Sequence, residues 1–345
     1  MAGGFTAGHI LPALELLRAY RTAAGAEGFF IGCPNGMETR LVAESGERLE
    51  TIPGAPIARQ SLLSQAAAFS ALARGVLAGR ALLRRERTQV VIGFGSYAAT
   101  GACLAAWSLG IPVVLHESNA AFGKANRLLL PFARRVCVAF SSLLPHRRTV
   151  RTGTPCRPAA PAVLPPAGCL RVLVIGGSQG SPHLNQQAPP LLAAVHQSRP
   201  LEVVHLTGDA NPTPVDRAYR ALGLVARVEK FSYTMPALYA QTDFVIACAG
   251  GGCLAEIANQ ALPALLVPLS GAAEDHQVDN AREFSRQTGC LWVPEREWDA
   301  SAQARQMLAL LDNPAALAQI KAQTAAWAVP DSAQRVIAVC EEVLK

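Results

Sequence analysis

The sequence predicts an α/β protein made of two doubly wound, Rossmann-like parallel sheets that face a cleft. Three observations predict it. Short apolar runs alternate with Ala/Leu-rich stretches of helical length. The alternation runs twice, once on each side of a Pro/Ala-rich stretch at 144–168. Four glycine-rich turns each join a strand to a helix.

The elements follow in chain order. Phe29-Phe30-Ile31, Val90-Val91-Ile92, Val113-Val114-Leu115 and Val136-Cys137-Val138 are continuous apolar runs, the pattern of strands covered on both faces. Between them, 61–86 and 98–109 have helical length and composition. The stretch 144–168 carries Pro145, Pro155, Pro158, Pro161, Pro165 and Pro166 and reads as a linker. The pattern restarts with Arg171-Val172-Leu173-Val174-Ile175. It continues through Val203-Val204-His205, Phe244-Val245-Ile246 and Ala264-Leu265-Leu266-Val267. After Pro330, Val336, Ile337, Cys340, Val343 and Leu344 share one face of a last helix over 331–344, which must pack on one of the two domains. With 345 residues, half of them hydrophobic, the chain has material for two cores.

Composition narrows the function classes. Charged residues are 16% and the net charge is +6, a balance that favours anionic partners without choosing among phosphates, acidic lipid and nucleic acid. Nine cysteines, from Cys33 to Cys340, include no C-x-x-C pair, so neither a zinc site nor a redox motif is indicated. Buried thiols in a reducing cytosol are the simplest reading. No apolar run reaches the roughly 18 residues of a membrane span, and no signal peptide is visible. Met1 leads almost at once into a glycine turn that a strand should precede, so most of a first strand reads as lost or as lying upstream.

The four turns are Gly3-Gly4-Phe5-Thr6-Ala7-Gly8-His9, Gly93-Phe94-Gly95-Ser96, Gly176-Gly177-Ser178-Gln179-Gly180 and Gly250-Gly251-Gly252. Glycine permits tight turns and close backbone approach, and the helix that follows offers unpaired N–H groups to a phosphate. A single such turn is better read as mere turning of the chain. Two in each half point to phosphate binding at the cleft. Gly250, Gly252 and Ala255 also fit G-x-G-x-x-A, but the acid of a dinucleotide site is poorly placed, since Glu274 and Asp275 follow an intervening loop. No P-loop exists. No Asp-x-Asp pair offers to hold a metal on a diphosphate, so no metal and no cofactor are expected.

At these residues a resemblance enters. Ala2 to His9, Gly93 to Tyr97, Ala105 to Glu117, Gly176 to Gly180 with Leu184-Asn185-Gln186, and Ala255-Glu256-Ile257-Ala258 are similar, in order, to segments of the MurG family. The resemblance implies a GT-B fold and inverting transfer of GlcNAc from UDP-GlcNAc to the muramyl sugar of undecaprenyl-linked lipid I, giving lipid II for the bacterial cell wall. It implies an acceptor- and membrane-facing domain at 1–158, with the helix 331–345 returning to it, and a UDP-GlcNAc-binding domain at 159–330. The implied partners are UDP-GlcNAc, lipid I and an anionic membrane surface, with no nucleic acid. The implied location is peripheral, on the cytoplasmic face of the plasma (inner) membrane.

The same resemblance assigns roles. His9 stands at the family's general base; the plain alternative is a capping or packing histidine. Thr6, Ala7 and Gly8 match a donor-contacting loop. Asn119 matches a donor-contacting Asn, against an Asx turn, and Arg157 a donor-reaching Arg, against a solvated linker charge. Ser178, Ser232, Gly251, Gly252, Cys253, Leu254, Ala255 and Gln277 complete the donor set with Glu256. Glu256 matches a ribose-binding acid and also suits the first turn of a helix, where it would complement the dipole. Gly93, Gly95, Ser96 and Tyr97 match the acceptor side.

The chain departs from the family in three places besides its start. Phe5 stands where the turn usually has glycine, Cys253 where Thr is common, and Ser232 where an apolar residue's backbone meets uracil. These keep open a related transferase with another lipid or sugar acceptor, or a weakly active paralogue. A dinucleotide-dependent oxidoreductase and a non-catalytic binding protein are the readings from other classes. Finally, the helical stretch 61–86 carries Leu62, Leu63, Phe69, Leu72, Val76 and Leu77 with Arg74, Arg80, Arg84 and Arg85. That combination suits an anionic membrane surface as well as it suits a core-facing helix with solvated arginines.

Overall fold

The computed structural model describes residues 1–25, 27–54, 62–163, 168–232, 234–269 and 276–345. The readings placed on Pro165, Pro166, Glu274 and Asp275, and on the side chains of Leu62 and Leu63, lie outside the described residues. The chain forms two compact units, Met1–Cys156 with Asp331–Lys345, and Arg157–Pro330.

In the first unit the strands are β1 (Phe30–Gly32), β2 (Leu49–Thr51), β3 (Val91–Gly93), β4 (Val113–Glu117), β5 (Arg135–Val138) and β6 (Thr149–Arg151). All pairings are parallel. Ala2 bridges both Ile31 of β1 and Gly93 of β3. Its amide donates to the Ile92 carbonyl at 2.8 Å and its carbonyl accepts from Phe94 at 2.8 Å. Ile31 donates to the Met1 carbonyl at 2.7 Å and Gly3 to the Ile31 carbonyl at 3.2 Å, so residues 1–3 fill the slot between β1 and β3. The winding is that of a Rossmann sheet, with the order reversing between residues 1–3 and β3. β6 falls inside the stretch read as a linker. Three residues on a sheet edge, flanked by prolines, carry too little pattern to be seen as a strand.

The second unit contains β7 (Leu170–Ile175), β8 (Leu201–Leu206), β9 (Ala226–Glu229), β10 (Phe244–Ala247), β11 (Ala264–Leu266) and β12 (Leu291–Trp292). They are all parallel, in the order β12-β11-β10-β7-β8-β9. The switch point lies between β7 and β10, which is where open α/β sheets hold ligands beyond the strands' carboxyl ends.

Helices cover both sheets. In the first unit, Leu62–Arg85 packs along Ser96–Ser108, and Gly79 lets the two approach so closely that an added Cβ would sit 3.0 Å from that of Ala105. The last helix, Ser332–Leu344, buries Val336, Ile337, Val339 and Cys340 in one core with Ile10, Ala13, Leu14, Phe30 and Val114. The Ser332 hydroxyl donates to the Thr154 carbonyl at 3.1 Å and ties down its first turn. Burial of Val336 and Ile337 contributes roughly 1.5–3 kcal/mol each. Among the described residues no helix is long and apolar enough to cross a membrane.

Candidate active site

At the first unit's switch point, the turn after Ala2 leads into the helix Ala7–Ala24, with Thr6 in extended conformation before it. His9 is the third residue of that helix. Its Nδ1 lies 3.1 Å from the Gly4 carbonyl and 3.3 Å from the Thr6 hydroxyl. A carbonyl only accepts, so this bond puts the proton on Nδ1 and leaves the Nε2 lone pair available. Nε2 faces the second glycine loop, where a Cβ on Gly95 would sit 3.2 Å from it. Gly95, at φ +93°, therefore needs to be glycine on two counts.

A carboxylate that sequence reasoning missed holds the first loop. Glu38 is fully buried; it accepts from the amides of Cys33 at 2.8 Å and Phe5 at 3.1 Å. Gly4, Gly32 and Gly36 all press on its side chain, and a Cβ on any of them would overlap it. Phe5 adopts φ +73°, a conformation that disfavours an L side chain by roughly 1–2 kcal/mol. Ser96 is also left-handed, at φ +77°, and among the described residues its buried hydroxyl has no partner. Gly93 has a packing reason to be glycine, since a Cβ there would press on Cys103.

β4 delivers His116 and Glu117 beside this loop. His116 is buried against the Phe94 ring, with Nε2 donating to the Gly153 carbonyl at 3.0 Å; burial lowers its pKa, and the nearby His9 adds to the effect. Glu117 accepts from the Asn119 amide and side chain at 3.1 and 2.8 Å, and from Gly123 and Asn126 at 3.0 and 2.9 Å. The buried Glu117 carboxylate therefore orients the Asn119 side chain.

In the second unit, Gly176–Gly180 follows β7 and leads into the helix Pro182–His196, where Ser181 accepts from Leu184 at 3.1 Å. Gly180 and Gly208 approach so closely that a Cβ on either would strike the other loop's backbone. Asn185 fixes this contact. Its amide nitrogen donates to the Thr207 carbonyl at 3.2 Å, and its oxygen meets His205 Nε2 at 3.0 Å. His205 Nδ1 lies 3.0 Å from the Tyr219 hydroxyl, and burial pushes this histidine down to about 4. Ser178 sits half-buried on the turn.

Gly250 precedes the helix Gly251–Asn259 with φ −70°, and no described atom lies within 4 Å of a Cβ on Gly250 or Gly252. Neither backbone conformation nor packing within the described residues requires glycine there. Leu254 and Ala255 are buried, so their side chains belong to the core. Cys253 lies 3.7 Å from the Tyr239 hydroxyl; burial, aided by Glu256, pushes its thiol up to about 12. Glu256 comes within 3.9 Å of Arg157, and both line a small pocket with Tyr239, Asn259 and Gln260. Arg157 falls in the second unit, just before the boundary read from sequence. Gln277 accepts from the amides of Ala249 at 3.2 Å and Leu269 at 3.0 Å, joining the loops after β10 and β11. The Ser232 hydroxyl accepts from the Thr234 amide at 3.2 Å. The residue after β11 is Val267, not the acid of a dinucleotide site.

Two domains of glycosyltransferase family 28 match the chain, the N-terminal domain at residues 1–138 and the C-terminal domain at 171–336. A relative from Alcanivorax borkumensis, named UDP-N-acetylglucosamine–N-acetylmuramyl-(pentapeptide) pyrophosphoryl-undecaprenol N-acetylglucosamine transferase, is 37% identical over 99% of this chain and 97% of its own length. One of the same name from Pseudomonas putida is 35% identical over 99% and 96%. The chain belongs to the MurG family of glycosyltransferases. The crystal structure of Acinetobacter baumannii MurG covers 99% of this chain and 98% of its own, with a TM-score of 0.80 and 28% identity. The MurG-family chain thus has the two-domain GT-B fold that its sequence predicts. What its motifs did not reveal is what holds them. Glu38, Glu117, Asn126 and the His205–Tyr219 pair lie outside the glycine turns, and the signal that could have flagged Glu38 was the otherwise unexplained Gly32 and Gly36 around it.

Proposed function

We propose that this chain transfers GlcNAc from UDP-GlcNAc to the muramyl sugar of undecaprenyl-linked lipid I, with inversion, giving lipid II at the cytoplasmic face of the plasma membrane. The observation that carries this reading is the near-complete match to transferases named for that reaction. Residue geometry supports a mechanism. His9 Nε2 takes the proton from the acceptor hydroxyl as that oxygen attacks the anomeric carbon and the bond to UDP breaks. UDP leaves with the electron pair, and solvent recovers the proton from His9. The open backbone at Gly250–Gly252 and the turn at Ser178 receive the diphosphate at helix N-termini. Glu256 accepts from the ribose hydroxyls, with Arg157 beside it. Gln277 sets the loop next to the donor sugar, and Thr6, Ala7, Gly8 and Asn119 keep the donor-contacting role that the resemblance implies.

Membrane attachment is assigned to the helix Leu62–Arg85. Phe69, Ala73 and Leu77, spaced by four, form an exposed stripe, with Phe69 60% and Leu77 67% accessible. Arg74 and Arg84 are exposed beside it, a pairing that suits an anionic surface. UDP release with UDP-GlcNAc and a lipid I analogue tests the reaction. Donor binding without release on adding acceptor would leave a binding protein in its place.

A further inference from the structure

We propose that Phe5 is a specificity residue for the acceptor, its ring forming an apolar wall beside the sugar whose hydroxyl reaches His9; the inference rests on the transferase reading above. Three observations converge. The ring is 55% exposed although aromatic, and the backbone beneath it is held at φ +73°. That conformation suits glycine, so the side chain is retained against its local preference. The strained backbone is over-determined by the buried Glu38 carboxylate, which accepts from the Phe5 amide at 3.1 Å. The ring meets Tyr97 edge to face with centroids 6.1 Å apart.

The placement of that pair supplies the function. Phe5 follows Gly4, whose carbonyl fixes His9 Nδ1, and Tyr97 follows Gly95 and Ser96, the loop that His9 Nε2 faces. The two rings therefore join the two loops on either side of the proton-accepting nitrogen. A hydroxyl that reaches Nε2 carries its sugar into the neighbourhood of the pair. A pyranose has one face of C–H groups, and an aromatic ring fixed by a neighbour matches that face with little entropy to lose. The Phe5 side chain offers no hydrogen bond and no charge, so it suits a sugar's C–H face rather than a diphosphate, and its contact with Tyr97 of the acceptor-side loop points to the acceptor's sugar.

The test uses the full chain with Phe5→Gly and Phe5→Tyr. Phe5→Gly removes the ring and relieves the backbone, so the melting temperature is expected to hold or to rise by about 2–4 °C. Its acceptor KM is expected to rise about tenfold, as loss of a buried aromatic contact would give, while the donor KM stays within about twofold. Phe5→Tyr keeps the ring and should restore the acceptor KM. The measurement is repeated with an acceptor analogue of shortened lipid chain. An effect that disappears with the short chain assigns Phe5 to the lipid and overturns the proposal. An unchanged acceptor KM in Phe5→Gly overturns it while leaving the transferase reading intact. No turnover by the wild type removes both.

Discussion

His9 turns its Nε2 toward the second glycine loop because the Gly4 carbonyl engages Nδ1. His9→Ala should lower turnover by about a hundredfold or more, the range for losing a general base, with donor affinity by calorimetry nearly unchanged. Turnover within a few-fold of wild type between about pH 6 and 9 would take the role from His9. His205 behaves differently, being buried and bonded on both ring nitrogens. Its folded pKa, near 4, lies below the 6.5 of an unfolded imidazole. The unfolded chain therefore takes up the proton first as pH falls. The stability tied to this residue is complete above pH 6.5 and is lost between 6.5 and 4. From pH 7 to 5 it amounts to about 2 kcal/mol. Urea unfolding at both pH values should show wild type losing about that much more than His205→Gln. Equal losses would reject the assignment.

Among the elements, the helix Leu62–Arg85 has two unlike faces. Its glycines and alanines pack on Ser96–Ser108, while Phe69 and Leu77 remain exposed. Phe69→Ser/Leu77→Ser should leave the melting temperature unchanged and reduce flotation with anionic liposomes by about tenfold, in line with the apolar area removed. Undiminished flotation would move the attachment elsewhere. Reversing Arg80 is a poor test of the same point. Its guanidinium donates to the Ser108 carbonyl at 3.1 Å and closes the end of the neighbouring helix, so the change would disturb packing as well as charge. The arginines of this helix are therefore not interchangeable: Arg84 is exposed, and Arg85 pairs with Glu50 and Glu86.

At the scale of the whole molecule, charge on the departing diphosphate has to be met by something. The sequence has no Asp-x-Asp pair, and among the described residues no group of three or more His, Cys, Asp or Glu is placed to hold a metal ion. Helix N-termini after β7 and β10 offer backbone N–H groups instead. Turnover is expected to survive EDTA within about twofold. Loss of activity on chelation, with recovery on adding magnesium or manganese, would show that the helix ends do not suffice.

The sequence by itself determined the fold class, because buried parallel strands are continuous apolar runs and the helices between them are long and periodic. It also marked the glycine turns, since only glycine allows the close approaches seen at Gly180 and Gly95. It did not reveal β2, β6, β9 and β12, which are short and lie toward sheet edges, where one or two residues facing solvent erase the apolar pattern. Nor did it say what holds the first turn. Tertiary structure decided that: Ala2 bonds to Ile92 and Phe94 on the β3 side, Met1 and Gly3 bond to Ile31 of β1, and Glu38, 33 residues from Phe5, holds the loop's amide. Local pattern reports what a segment does with its own neighbours. His9 and Asn119 are aimed by near neighbours, Gly4 and Glu117, but Glu38 at the Phe5 amide and Asn185 at the Thr207 carbonyl come from distant segments, so they became visible only when the sheets brought them together.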